Sequence, residues 1–296
     1  MTLAAGHGHS VDLREEPVDQ VLELVEQRLG TVLDRSTVVR KRRTVGARTD
    51  RSTWVRVERR PWSRAAVQGW AGTEAAAVLG EVAMPRWAGS VVWLEPGGGA
   101  LWRADETSLL PSRPVGTAVL ASAPDLPEGW WAALHASLDA LAVQPTTRVA
   151  TPDTEAITQR HVDEVIRSAF PEAVGTGVTV WRSAHADLNW ANVTGPEFCL
   201  FDWEDWGLAP RGLDSATLLA ASLAVPALAD RVRRERRADL ESRDGKVMRL
   251  FTLAKIAGPH ARPDDPRVEP ARAEAQELIH DLRRAQAARS TSNSWN

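Results

Sequence analysis

Residues 183–206 read SAHADLNWANVTGPEFCLFDWEDW. His185, Asp187 and Asn192 stand in the spacing H-x-D-x-x-x-x-N. The residues after them predict a short hairpin: Val193 and Thr194 on one side, Gly195-Pro196 at the turn, Phe198 to Phe201 on the return. The return ends in Asp202, with Trp203 and Glu204 next. Such a hairpin brings Asn192 and Asp202 to the same end although they stand ten positions apart.

Phosphoryl transfer is a reaction that needs this set. Its transition state is loose, so catalysis is mostly positioning and neutralisation of charge. A carboxylate beside the acceptor hydroxyl orients it and takes its proton, and Asp187 suits that role. A loop amide and a strand-end carboxylate offer hard oxygen atoms to magnesium, and Asn192 and Asp202 suit that one.

On the N-terminal side, Val18, Val21, Leu22, Val25 and Leu29 recur at helical spacing, and Gly30 is the predicted stop. Ser36 to Val45 and Ser52 to Arg60 read as strands joined by a turn at 49–51. The second alternates Trp54, Arg56, Glu58 and Arg60 against Val55 and Val57. Gly72 to Val82 reads as a short helix, and 90–94 and 100–103 as strands around the turn EPGGG. From about 108 the character changes. Helices are predicted at 129–143 and 158–170, a strand at 178–181, and further helices at 213–223, 225–239, 244–257 and 270–288. The predicted class is α+β: a β-rich lobe over 1–107, with 1–14 mobile, and a mainly helical lobe over 108–296, with 288–296 a disordered tail.

Composition narrows the field. Of 296 residues, 43% are hydrophobic and 25% charged, which suits a globular chain rather than a disordered one. The lone Cys199 excludes an internal disulfide and a four-cysteine zinc site. It alternates with Phe198 and Leu200 and reads as an inert core thiol. The apolar stretch 216–229 is too short to span a bilayer. Net charge is −3, which gives no electrostatic reason to expect nucleic acid or a membrane surface. The first residues lack the basic start and apolar run of a secretory signal, so a cytoplasmic location is expected.

HADLNWAN followed by LFDWEDW resembles the aminoglycoside phosphotransferase and choline kinase branch of the protein-kinase-like fold. The helix WWAALHASLDAL resembles the Leu-His-containing helix of that branch. Asp214, in RGLDSATL, matches its later aspartate. The resemblance implies a bilobal kinase-like fold with ATP or GTP bound between the lobes, magnesium, and a small-molecule hydroxyl as phosphate acceptor. It further implies that His185 and Asp214 brace the catalytic loop. For the N-terminal lobe it implies a phosphate loop in VGARTDRS with the single glycine Gly46, and a helix glutamate, Glu74, paired with a strand cation. No lysine lies on the strand. Lysine stands only at Lys41, Lys246 and Lys255, so Arg56 is the nearest equivalent. Arginine binds phosphate with a different reach and geometry.

Plainer readings stand beside these. Arg56 also reads as a solvated strand arginine beside Glu58, and Glu58 and Glu81 compete with Glu74. Trp190, Trp203 and Trp206 serve either as core packing or as a stacking wall for an acceptor. Glu204 and Asp205 are either a solvated acidic rim or a lure for a cationic acceptor. The missing lysine and sparse glycines motivate a rival function, a catalytically weakened kinase-like binding or sensor protein. A more distant rival is a metal-dependent hydrolase using His185, Asp187 and Asp202. The oligomeric state is not encoded in any of these features.

Overall fold

The computed structural model describes residues 12–62 and 68–293; of the mobile start expected at 1–14, positions 1–11 lie outside them. The chain divides into two units, Met1–Val78 with Pro85–Leu110, and Leu79–Met84 with Pro111–Asn296. The segment 79–84 thus belongs with the second unit, where Ala83 accepts from the Leu200 N–H and its own N–H donates to Ser137.

The first unit is a five-stranded antiparallel sheet with one helix on its apolar face. Helix α1 (Asp19–Leu29) ends where Gly30 turns left-handed at φ 63°, a conformation glycine adopts without a Cβ penalty. Strands β1 (Val39–Arg40), β2 (Thr44–Arg48), β3 (Thr53–Pro61), β4 (Trp87–Leu94) and β5 (Ala100–Ser108) pair in the order β1-β2-β3-β5-β4. The two-residue alternation expected in β3 is present. Val55 and Val57 are fully buried with Val45, Ala47 and Ala104, and the same core takes Leu22 and Val25 of α1. Arg56 and Glu58 point to the other face, opposite Asp105 and Arg103.

Three expectations for this unit change. The strand expected over 36–45 is broken by a 3₁₀ turn at 35–37 and a tight turn at 41–43, so the basic run 40–43 caps the β1–β2 hairpin. The helix expected over 72–82 is only Gly72–Ala76 (α2). Gly46 is no loop glycine: it lies inside β2, under the Trp54 indole.

The second unit is mainly helical. Its helices are α3 (Glu128–Ala142), α4 (Gln159–Ala169), α5 (Leu213–Ser222), α6 (Pro226–Glu235), α7 (Arg237–Leu240), α8 (Arg243–Ala257) and α9 (Val268–Asn293); α4, α7 and α9 pack on the buried α8, and α6 on the buried α5. The Thr158 hydroxyl caps α4 by accepting from the His161 N–H at 3.1 Å. Helix α9 runs past 288, so the tail expected to be disordered is helical as far as Asn293. The helix expected over 225–239 is split at Arg236. The strand expected at 178–181 falls later, as β7 (Trp181–Ala184). Its partner is β9 (Gly207–Pro210), and β6 (Arg113–Pro114) pairs with β8 (Thr194–Gly195). Among the described residues no helix is long and apolar enough to cross a membrane.

A Cβ added at Gly46 would lie 2.5 Å from the Trp54 ring. Gly46→Val is therefore expected to destabilise the protein by about 1–3 kcal/mol through overpacking. A thermal melt checks this, and an unchanged midpoint would show that the indole moves aside freely.

Candidate active site

The loop after β7 is built on one buried carboxylate. Asp214, in the first turn of α5, accepts from the backbone N–H of His185 through Oδ2 and from that of Ala186 through Oδ1, both at 2.8 Å. Ala186 has φ 71°, a left-handed conformation that costs a residue with a Cβ about 1 kcal/mol or more. The two hydrogen bonds hold that turn and aim the next side chain, Asp187. Burial raises the Asp214 carboxyl to about 6.

His185 is fully buried, and burial lowers its imidazole to about 4, so the ring is neutral at physiological pH. Nε2–H donates to the Phe201 carbonyl at 3.0 Å, and Nδ1 faces the Asp187 N–H at 3.4 Å. These two contacts fix one tautomer, and the ring edge packs on Trp203 at 4.8 Å between centroids. His185 thus ties the loop to the residue that precedes Asp202.

Asp187 is held by two amides. Asn192 Nδ2 donates to Asp187 Oδ2 at 2.7 Å and to its carbonyl at 2.9 Å. Asn189 Nδ2 donates to Oδ1 at 2.9 Å. Burial first, then the nearby Asp202 charge, raises Asp187 to about 6. With its Nδ2 spent on Asp187, Asn192 has Oδ1 as the atom it can offer to a cation. The expected hairpin forms as a single bridge, Val193 to Leu200, with the Phe201 N–H donating to the Asn192 carbonyl at 3.0 Å. Asp202 follows, exposed, at φ 68°. The motif residues His185, Asp187, Asn192, Asp202 and Asp214 are therefore brought together.

The flanking aromatic residues are not an acceptor wall. Trp190, Trp203 and Trp206 are at most 2% exposed. Trp190 stacks on Trp130 and donates Nε1–H to Ser222 at 3.0 Å. Trp203 donates to the Leu200 carbonyl, and the Arg148 guanidinium lies 5.0 Å above the Trp206 ring. Indoles this deep are core, packed under the loop they adjoin. Glu204 and Asp205 are half-buried. Asp205 Oδ1 accepts from the Thr151 hydroxyl at 2.8 Å, which makes it a bracket between two loops rather than an open rim. Cys199 is buried, and burial pushes its thiol up to about 12, as suits an inert core residue.

In the first unit the expected pair shifts by one strand. Glu74 of α2 binds Arg103 of β5 at 2.9 Å, where Arg56 was expected. Arg103 is buried and also forks onto Asp105 through two bonds of 2.7 Å, while Trp87 Nε1–H donates to Asp105 at 3.1 Å. Arg56 remains about one-third exposed, 3.7 Å from Glu58, which Arg60 shares at 2.6 Å. Arg103, Asp105 and Asn189 are the residues sequence reading missed. The only signal for the first two was their spacing of two in LWRADE, which puts both on one strand face.

The chain matches no known family by sequence profile and no curated protein by sequence. Its structure does have counterparts. The GDP and kanamycin complex of APH(2")-IIia aligns with a TM-score of 0.53 at 13% identity, covering 94% of this chain and 100% of that one. The GDP complex of wild-type aminoglycoside 2'-phosphotransferase-IIIa aligns with a TM-score of 0.52 at 13% identity, covering 90% and 99%. The streptomycin-ATP-APH(2")-IIa ternary complex aligns with a TM-score of 0.52 at 10% identity, covering 90% and 98%. The fold is accordingly the kinase-like α+β fold of aminoglycoside phosphotransferases.

Asp205 gives a pH signature. Burial first, then the charges of Glu204, Asp202 and Asp153, raise it to about 6, with the Thr151 hydroxyl and the Arg148 guanidinium as its favourable neighbours. Its folded state therefore prefers the proton, and its contribution to stability falls as pH rises from about 4 through about 6. Asp205→Asn keeps an acceptor for Thr151 and removes the charge. The variant should melt about 2–4 °C above the wild type at pH 8 and level with it near pH 4. A variant that melts lower at pH 8 would contradict this placement of the carboxylate.

Proposed function

We propose that this chain is an ATP- or GTP-dependent phosphotransferase that moves the γ-phosphate to a hydroxyl of a small molecule. The observation that carries the reading is the Asp187–Asn192 pair at 2.7 Å, on a loop clamped by Asp214 and followed by Asp202. The likeness of the whole fold to structures whose titles name GDP, ATP and antibiotics supports it.

In this reading Asp187 accepts the proton of the attacking hydroxyl and orients its oxygen in line with the phosphorus. The Asn189 and Asn192 amides keep the carboxylate from rotating, which converts a loose encounter into a fixed one. Asn192 Oδ1 and the Asp202 carboxylate are the residues that would hold magnesium. Two hard oxygens suit an ion that takes its other positions from phosphate and water. Magnesium bound with the nucleotide supplies positive charge against the phosphate oxygens. Arg56 is the proposed phosphate-binding cation of the first unit, because its guanidinium keeps an exposed share while Arg103 is buried on Glu74 and Asp105. A reaction that consumes ATP or GTP suits a cytoplasmic location.

The test is a thermal melt with magnesium and ATP, and separately GTP. Ligand at 100 times its dissociation constant adds about 2.7 kcal/mol, a shift on the order of 5 °C for this size. The shift should need magnesium, disappear in Asp202→Asn and shrink in Arg56→Ala. Asp187→Ala should keep the shift and lose transfer by a factor of at least about 100. Transfer at the wild-type rate in Asp187→Ala would remove Asp187 from the mechanism.

A further inference from the structure

Asp202 stands at φ 68°, in a segment that is neither helix nor strand. A residue with a Cβ keeps that conformation only where its neighbours hold it. On the N-terminal side Phe201 holds it: its carbonyl accepts from His185, and its N–H donates to the Asn192 carbonyl. On the C-terminal side the backbone of 203–206 joins no strand, so its carbonyls need donors from elsewhere in the chain.

The stretch 148–151 supplies those donors. Arg148 Nη2 donates to the Glu204 carbonyl at 3.3 Å, and its Nε donates to the Trp206 carbonyl at 3.2 Å. Between them the Thr151 N–H donates to the Asp205 carbonyl at 2.9 Å. Three consecutive carbonyls thus turn toward one short stretch, and two of them share one guanidinium. That stretch is itself fixed. The Leu208 N–H donates to the Arg148 carbonyl at 2.8 Å, and the Ala150 N–H donates to the Leu208 carbonyl at 3.0 Å. The two backbones run so close that a Cβ added at Gly207 would stand 2.6 Å from the Ala150 nitrogen. The Trp206 ring lies 5.0 Å beneath the guanidinium and supports its plane. A rigid fork of donors suits two carbonyls of one turn, whereas an ammonium offers a single point of attachment.

We propose that Arg148 is a positioning residue for the metal: by holding the Glu204 and Trp206 carbonyls it keeps Asp202 in the conformation that presents its carboxylate, and metal affinity depends on that hold. The part concerning the metal rests on the phosphotransfer reading above; the part concerning the backbone does not.

The test uses the full chain and two variants. Arg148→Met keeps an unbranched stem on Trp206 and removes the donors; Arg148→Lys keeps the charge and loses the fork. In the ligand-free protein, hydrogen exchange followed by mass spectrometry should speed up about tenfold or more at 202–207 in Arg148→Met, while α3, α5 and α8 keep the wild-type rate. Binding of the manganese–ATP complex, followed by water-proton relaxation, should weaken about 10- to 100-fold in Arg148→Met, with Arg148→Lys between it and the wild type. Exchange at 202–207 that stays at the wild-type rate, or that rises equally across the second unit, would overturn the proposal. If Arg148→Met does not fold, Arg148→Lys carries both measurements, and wild-type values in it would overturn the proposal as well. The binding data separate the two claims. A wild type that binds no manganese–ATP ends the phosphotransfer reading and the metal role of Arg148 with it, while the exchange result still decides the backbone role. Wild-type binding that Arg148→Met leaves unchanged ends this proposal alone.

Discussion

One buried carboxylate organises the candidate site. Asp214 spends both oxygens on two consecutive backbone N–H groups, and Ala186 can then persist at φ 71°. Without that clamp a residue with a Cβ would relax out of the left-handed region, and Asp187 would swing with it. The remaining contacts follow in sequence. His185 reaches the Phe201 carbonyl, the Asn192 amide reaches Asp187, and the Phe201 N–H returns to the Asn192 carbonyl. Each is one ordinary hydrogen bond, worth about 1 kcal/mol alone. Together they form a closed network in which no member can rotate without breaking a second bond.

The aromatic residues give this network its floor. Trp130, Trp131, Trp190 and Phe198 pack edge to face or stacked, with centroids 5.0 to 6.3 Å apart, beneath the loop. Trp203 closes on His185, and Trp206 lies under Arg148. The polar groups of the site therefore rest on rigid, low-entropy side chains. In the first unit the same job falls to charge: Arg103, Asp105 and Glu74 join β5 to α2, and burial makes those bonds costly to break from one side only.

Much of this was legible in the sequence, for physical reasons. The two-residue period of Trp54 to Arg60 has one structural solution, a half-buried strand, and β3 adopts it. Gly30 at the end of an apolar helical stripe stops α1, because a left-handed residue is needed there. His185, Asp187, Asn192 and Asp202 stand at a spacing that a hairpin brings together, whereas Asp214 was pointed to only by the resemblance of RGLDSATL to the family's later aspartate. Other features were not legible. A tryptophan beside a catalytic aspartate reads the same whether it faces the core or a ligand, so Trp190, Trp203 and Trp206 could be placed only by the structure. The burial of Arg103 was not legible, because it depends on Glu74, which stands 29 positions away. Gly46 looked like a flexible loop residue, but it is needed for the close approach of Trp54.

The central claim is that Asn192 and Asp202 present oxygen atoms to a metal–nucleotide pair at the Asp187 loop. Manganese in place of magnesium tests it most directly, through paramagnetic broadening of the Asn192 side-chain amide in a nitrogen-15 spectrum. With manganese and ATP the Asn192 amide signal should vanish, and Asp202→Asn should restore it. A sharp Asn192 signal at saturating nucleotide, or broadening that Asp202→Asn leaves in place, would contradict the account.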